Sequence, residues 1–294
     1  MASSDVRWTA EFREDGQLRF RVGRDGGRLV AEWPGICVLR ADPDGAASEL
    51  TPEPNADRDL VEKFHRGIAQ ALIRHLEGGF TLHASAAALD GTVIACAGES
   101  QAGKSTTAAE LVLHHDAALV ADDTLALDFD EDGSIRVHPT ERVSWLLPDA
   151  RSALGVAEPV GEDGGASSPA ESDSRRVKLP IEPPRLAERR LRLGAVVLLG
   201  FDDDLAAPRV QRVRGHDALE RLVPSVVRFV LDEPERNRRE LEQLLALINA
   251  VPIYELVRPR KLEELGATIA ALRALARGLE ARGLEARGLE GGAS

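Results

Sequence analysis

Lysine is almost missing from this chain: it occurs only at Lys63, Lys104, Lys178 and Lys261, although lysine and arginine together number 37. A residue type that the sequence otherwise avoids is kept where arginine's planar fork cannot stand in for a compact ammonium. Cysteine is scarcer still, at Cys37 and Cys96. Both lie in apolar runs, Ile36 to Leu39 and Val93 to Ala97, which excludes a disulfide framework and points to buried thiols in a reducing compartment. A cytoplasmic protein is expected. Long apolar runs are absent too: none approaches the roughly 18 uncharged residues that would span a bilayer, and the leading MASSDVRWTA has no apolar segment of the signal-peptide kind. Nor is there a surplus of positive charge, since 49 acidic residues leave a formal charge of −12. Neither nucleic acid nor a membrane is therefore expected as a partner, and any anion site must be local.

With 294 residues there is room for one full domain and a smaller one without staples. Residues 5 to 40 alternate in short segments (VRWTAEF, QLRFRV, RLVAEW, ICVLR) split by Asp15-Gly16, Asp25-Gly26-Gly27 and Pro34-Gly35, which predicts a small antiparallel meander. A polar, proline-containing stretch from Asp42 to Asp57 follows. Leu60, Phe64, Ile68, Leu72 and Leu76 then fall near one helical face, ended by Gly78-Gly79. Residues 1–79 thus form a small, mainly β unit with a connecting helix. A main unit is assigned to 80–275, with strands at TLHASAAALD, TVIACA, AALVADD, TLALDF, IRVH, AVVLLG, PRVQRV and PIYEL, and helices near 216–223, 234–250 and 260–275. Residues 157–174 have almost no apolar content and read as a mobile loop, either inert or a lid. In 276–294 the ARGLE repeat has a period of five that fits neither helix nor strand, and a low-complexity, frayed tail is expected.

The strongest signal is Gly98-Glu99-Ser100-Gln101-Ala102-Gly103-Lys104-Ser105, which fits G-x-x-x-x-G-K-[ST] between a β-rich strand and a helix opening at Thr106. Two glycines let successive backbone N–H groups and the helix N-terminus face phosphates. Lys104 would set a point charge between β- and γ-phosphates, and Ser105 would present its hydroxyl to Mg²⁺. ATP and Mg²⁺ are the implied ligands. Asp122-Asp123 ends the strand AALVADD. Neighbours on an extended chain point oppositely, so one acid can face the metal and the other an incoming hydroxyl. His83 precedes the loop strand and reads equally as structural or catalytic. His114 and His115 suit the C-terminal end of a helix dipole. His138 is a further candidate for the site.

The stretch TLHASAAALDGTVIACAGESQAGKSTTAAELV, followed by ALVADDTLAL, resembles the kinase domain of HPr kinase/phosphorylase and its relatives. The resemblance implies the fold shared with phosphoenolpyruvate carboxykinases: α/β, with the loop on a mixed, strongly bent sheet. It also implies Asp122 and Ser105 at the metal, Asp123 as base or orienting group for a hydroxyl, His83 nearby, and a basic residue after the loop at 157–174 reaching the γ-phosphate. Among Arg175, Arg176 and Lys178, Lys178 is preferred. HPTERVSWLLPDARSALG lacks the Gly-rich run of the bifunctional enzymes, and the first 80 residues do not resemble their regulatory domain. The implied activity is a kinase without phosphorylase function, acting on a hydroxyl of a peptide, a protein or a small molecule. A nucleotide-dependent switch that binds a partner is a second reading, and nucleotide-dependent carboxykinase chemistry a third. Homo-oligomers are compatible with all three.

Overall fold

The computed structural model describes residues 6–157, 178–229 and 234–290, with side chains as far as residue 281. The expected loop at 157–174, apart from its first residue, lies outside the described residues, as do Arg175 and Arg176.

Strands β1 (Arg7–Glu14), β2 (Gln17–Asp25), β3 (Arg28–Trp33), β4 (Cys37–Ala41) and β5 (Ser48–Pro52) form a five-stranded antiparallel meander in chain order. β5 was not expected, because SELTP is polar. It pairs along all of β4, from Cys37–Pro52 to Ala41–Ser48, so backbone bonding to an exposed edge makes the strand without an apolar pattern. Helices α1 (Arg58–Phe64) and α2 (Gln70–Leu76) follow, joined by a π-helical turn at His65–Ala69. Asp57 caps α1 by accepting the Leu60 N–H at 2.9 Å. Ala69, Leu72 and Leu76 pack with Val22, Leu29, Trp33, Cys37 and Leu39 into one cluster, so the helical stretch shares its core with the meander.

The larger unit contains β6 (Phe80–Leu82), β7 (Ala84–Leu89), β8 (Thr92–Ala97), α3 (Lys104–His114), β9 (Ala118–Ala121), β10 (Leu125–Phe129), β11 (Ile135–Val137), β12 (Ser144–Leu146) and α4 (Pro148–Ala153). After the undescribed stretch come β13 (Leu179–Ile181), β14 (Leu191–Phe201), β15 (Arg209–Val213), α5 (Gly215–Leu222), α6 (Pro234–Ala250), β16 (Ile253–Arg258) and α7 (Leu265–Glu290). The nine-stranded sheet is mixed and curled, in the order β6-β10-β11-β14-β8-β7-β9, with β16 on β14 and β15 on β16. β8, β14 and β16 are parallel, whereas β7 runs antiparallel to β8. TLHASAAALD makes two strands instead of one, because the chain leaves the sheet at His83, whose N–H donates to Ser225 O at 2.6 Å.

One apolar layer (Phe80, Leu82, Val93, Leu125, Val196, Leu222) lies on one face, and another (Ile94, Leu111, Leu119, Val197, Leu256, Ile269, Leu272) under α3 and α7 on the other. With both faces covered, the central strands are continuous apolar runs and not alternating ones. The chain does not fray at Ala276. It continues as helix to Glu290, because four residues in every ARGLE are good helix formers and the helix is already anchored by buried Leu272 and Ala276.

Candidate functional site

β8 ends at Ala97 and hands the chain to the loop 98–103, which turns into α3. The backbone of this loop is left-handed at Gly98 (φ 135°), Gln101 (φ 64°) and Gly103 (φ 83°). A Cβ at Gly98 would lie 2.7 Å from the Leu199 carbonyl oxygen, so the loop sits hard against β14. Gly103 is the N-cap of α3 and supplies no side chain to the first turn. That leaves backbone donors and the positive end of a three-turn helix directed at whatever lies before it. Arg258, from β16, buttresses the loop from below: its Nη2 donates to Ala102 O at 3.0 Å and its guanidinium packs on the Phe201 ring. Its Nη1 is buried without a partner among the described residues.

A cleft of about 520 Å³ opens in front of this turn. Ser100, Gln101, Gly103, Lys104, Ser105 and Thr106 form one wall, and His83, Asp123, Trp145 and Lys178 another. Phe201, Arg260, Lys261, Leu262 and Leu265 continue the wall. Gly98, Glu99 and Ala102 border a second hollow of about 590 Å³, which shares His83, Ser100 and Gln101 with the cleft. Lys104 Nζ folds back onto Gly98 O (3.0 Å) and Glu99 O (2.9 Å). Burial holds its pKa below the usual lysine value, against the opposing pull of Asp123.

The two acids diverge. Asp122 is 1% exposed; its Oδ1 accepts from Ser85 Oγ at 2.7 Å and its Oδ2 from Trp145 N–H at 2.8 Å. Ser85 Oγ stands 3.5 Å from Ser105 Oγ, so Asp122 connects to the loop through two hydroxyls and does not itself line the cleft. Burial, then the charge of Asp123, pushes its pKa up. Asp123 takes a left-handed turn (φ 69°) and faces the cleft, where both its oxygens lie 3.3 Å from Lys178 Nζ. Burial works to raise its pKa, but the ammoniums of Lys178 and Lys63 outweigh it and the net shift is downward. His83 Nδ1 lies 2.9 Å from the Asp123 carbonyl. A carbonyl only accepts, so Nδ1 carries the proton; burial, then Lys104, lowers the ring's pKa and keeps it neutral at pH 7.

The expected residues His83, Lys104, Ser105, Asp123 and Lys178 therefore meet in one cleft, with Asp122 behind them. His114, His115 and His138 do not join it: His114 contacts Leu154 O at 3.0 Å, His115 faces Glu110 at 3.4 Å, and His138 pairs with Asp128 in a network with Arg190.

Three site residues are not evident in the sequence. Lys63, from α1, places its ammonium 4.5 Å from the centre of the Trp145 ring. Burial lowers its pKa, and Asp123 pulls it back up. Trp145 sits on β12, a strand too short to announce itself. Glu141, 9% exposed, has its pKa raised to about 8 by burial and then by Asp122 and Asp123. The scarcity of lysine was the available signal, since Lys104, Lys178 and Lys261 line the cleft and Lys63 adjoins it.

Fold and cleft together define a mixed α/β protein with a backbone-lined turn, cations and carboxylates converging before one helix. No family model matches the chain, and no curated protein matches it. Among solved structures, it aligns with the Hpr(Ser) kinase/phosphatase of Coxiella burnetii at 13% identity and a TM-score of 0.33, over 67% of this chain and 98% of that one. At those values nothing about activity, ligand or substrate carries over.

Proposed function

We propose that the protein binds ATP with Mg²⁺ at the Gly98–Ser105 loop and transfers the γ-phosphoryl group to a hydroxyl of a peptide, a protein or a small molecule. The observation that supports this most is the convergence of Lys104, Ser105, Asp123 and Lys178 in front of the uncapped N-terminus of α3. The left-handed turns at Gly98, Gln101 and Gly103 suit a nest of N–H donors around phosphate oxygens. Among the described residues no cluster of three or more His, Cys, Asp or Glu side chains could cage a cation. A hydroxyl and one or two carboxylates beside phosphate oxygens suit Mg²⁺, which is commonly held in that way. Ser105 and Asp122 would hold it, Asp122 through Ser85 or after a small shift; bound there, Mg²⁺ would supply charge neutralisation on the phosphates.

In the proposed mechanism Lys104 leaves the Gly98 and Glu99 carbonyls for the β- and γ-phosphates. Lys178 exchanges Asp123 for the γ-phosphate, which removes the charge that depresses Asp123's pKa. A carboxylate freed in this way is a better base and takes the acceptor's hydroxyl proton as the acceptor O–Pγ bond forms and the Pγ–O bond to the β-phosphate breaks, leaving ADP. Neutral His83 holds the Asp123 backbone through its Nδ1–H. Since Lys104→Ala removes the phosphate-binding charge, wild-type protein should gain thermal stability from ATP·Mg by mass action and the variant should not. Equal affinity of the two proteins for ATP·Mg by calorimetry would remove the basis of the proposal.

A further inference from the structure

The N-terminal segment places Lys63 beside Trp145, at the border of the cavity that adjoins the cleft. Lys63 lies in the last turn of α1, two residues before the π-helical turn at His65–Ala69, a distortion that tends to occur at functional positions. Its stem is partly buried, and its ammonium rests on the face of Trp145, 4.5 Å from the ring centre. Among the described residues no carboxylate forms an ion pair with it, although Asp122 and Asp123 both act on its charge. Trp145 ties the arrangement to the site twice. Its backbone N–H donates to Asp122 Oδ2 at 2.8 Å, and its side chain lines both the cleft and an adjoining cavity of about 410 Å³ that Lys63 borders.

Three ammoniums gather about Asp123: Lys104 approaches from α3, Lys178 from just before β13 and Lys63 from α1. Asp122 and Asp123 act on the charges of Lys63 and Lys104, and Glu141, whose own pKa is raised to about 8, acts on Lys63 as well. A partly buried ammonium without a carboxylate partner is stabilised when an anion enters beside it. Arginine serves at nearly every other basic position, whereas this one keeps a slim, flexible stem able to leave the Trp145 ring.

We infer that Lys63 is a phosphate-contacting residue of the same site, its ammonium meeting the terminal phosphate of a bound nucleoside triphosphate from the α1 side. This rests on the nucleotide reading above. It makes the N-terminal unit part of the phosphoryl-transfer site, and it predicts that the two units cooperate for triphosphates and not for diphosphates.

The test is calorimetric titration of wild-type and Lys63→Met protein with ATP·Mg and, separately, ADP·Mg. Loss of one charged contact should weaken ATP·Mg binding roughly tenfold or more while ADP·Mg binding stays unchanged. Unchanged affinity for both nucleotides overturns the inference. So does an equal loss for both, which would mark a merely structural lysine. If wild-type protein binds neither nucleotide, the nucleotide reading itself fails and this inference with it. Melting of Lys63→Met without ligand, compared with wild type, identifies a folding defect separately.

Discussion

Lys178 Nζ stands 3.3 Å from each carboxylate oxygen of Asp123, and its charge opposes the burial that would raise that carboxyl's pKa. If both act in transfer, Asp123→Asn should leave ATP·Mg affinity nearly intact while phosphoryl transfer falls by about 10²- to 10⁴-fold. With γ-labelled ATP and a cell extract, the labelled acceptor can be found by its mass gain and then used at saturation. Wild-type rates in Asp123→Asn would favour a nucleotide switch, which requires Lys104 and Ser105 but no acceptor base.

Asp122 uses both oxygens as acceptors, for Ser85 Oγ and the Trp145 N–H. Asp122→Asn turns one acceptor into a donor and sets it against a donor in the interior. Urea denaturation should show a loss of about 1–3 kcal/mol, together with weaker binding of ATP·Mg. A variant as stable as wild type would mean that Ser85 or β12 rearranges freely.

Gly98 has φ 135°, and a Cβ there would press to 2.7 Å on the Leu199 carbonyl oxygen. Gly98→Ala should cost about 1–3 kcal/mol of stability and displace the loop from β14. Nucleotide binding should fall further than the melting temperature suggests. Gly133→Ala is a useful control, since it is also left-handed (φ 76°) but has open space around its Cβ.

Glu141 lies among acidic neighbours, with its pKa raised from 4.5 to about 8. Between those two values the folded state holds a proton that the unfolded chain has released, so this group's contribution to stability declines as pH rises from 4.5 to about 8. Glu141→Gln, always neutral, should therefore be more stable than wild type at pH 8 to 9, with the difference closing toward pH 4.5. Thermal melts across that range check the sign; a constant difference would mean that the pKa of Glu141 is the same in the folded and unfolded states.

Cys37 and Cys96 are buried, with pKa values pushed up to about 11 and about 12, chiefly by burial. Neither thiolate is available near neutral pH. Iodoacetamide should label neither residue in native protein at pH 8 and both after unfolding in urea.

The sequence by itself determined the elements whose cause is local. Glycine turns between alternating strands gave the meander, with β5 omitted because its ladder to β4 owes nothing to polarity. The spacing from Gly98 to Ser105 marked a loop between strand and helix, and the adjacency of Asp122 and Asp123 implied that the two carboxylates diverge. Helices ended by Gly78-Gly79 or anchored by Leu272 follow from periodicity and burial. In ARGLE the helix-forming strength of four residues in five outweighs a period of five that matches no regular element, and α7 runs through it.

Tertiary structure alone decided what surrounds those residues. Arg258 supports the loop through a bond to Ala102, 156 positions away, and Lys178 meets Asp123 across 55. Lys63 reaches the site only because α1 packs where β12 presents Trp145, and Glu141 becomes a proton-holding group only because folding buries it beside two aspartates. No local pattern encodes such meetings, since they arise from the curl of the mixed sheet and the packing of elements far apart in the chain. The chemistry of each side chain was written in the chain, but its partners, its protonation and the direction it faces came from the fold.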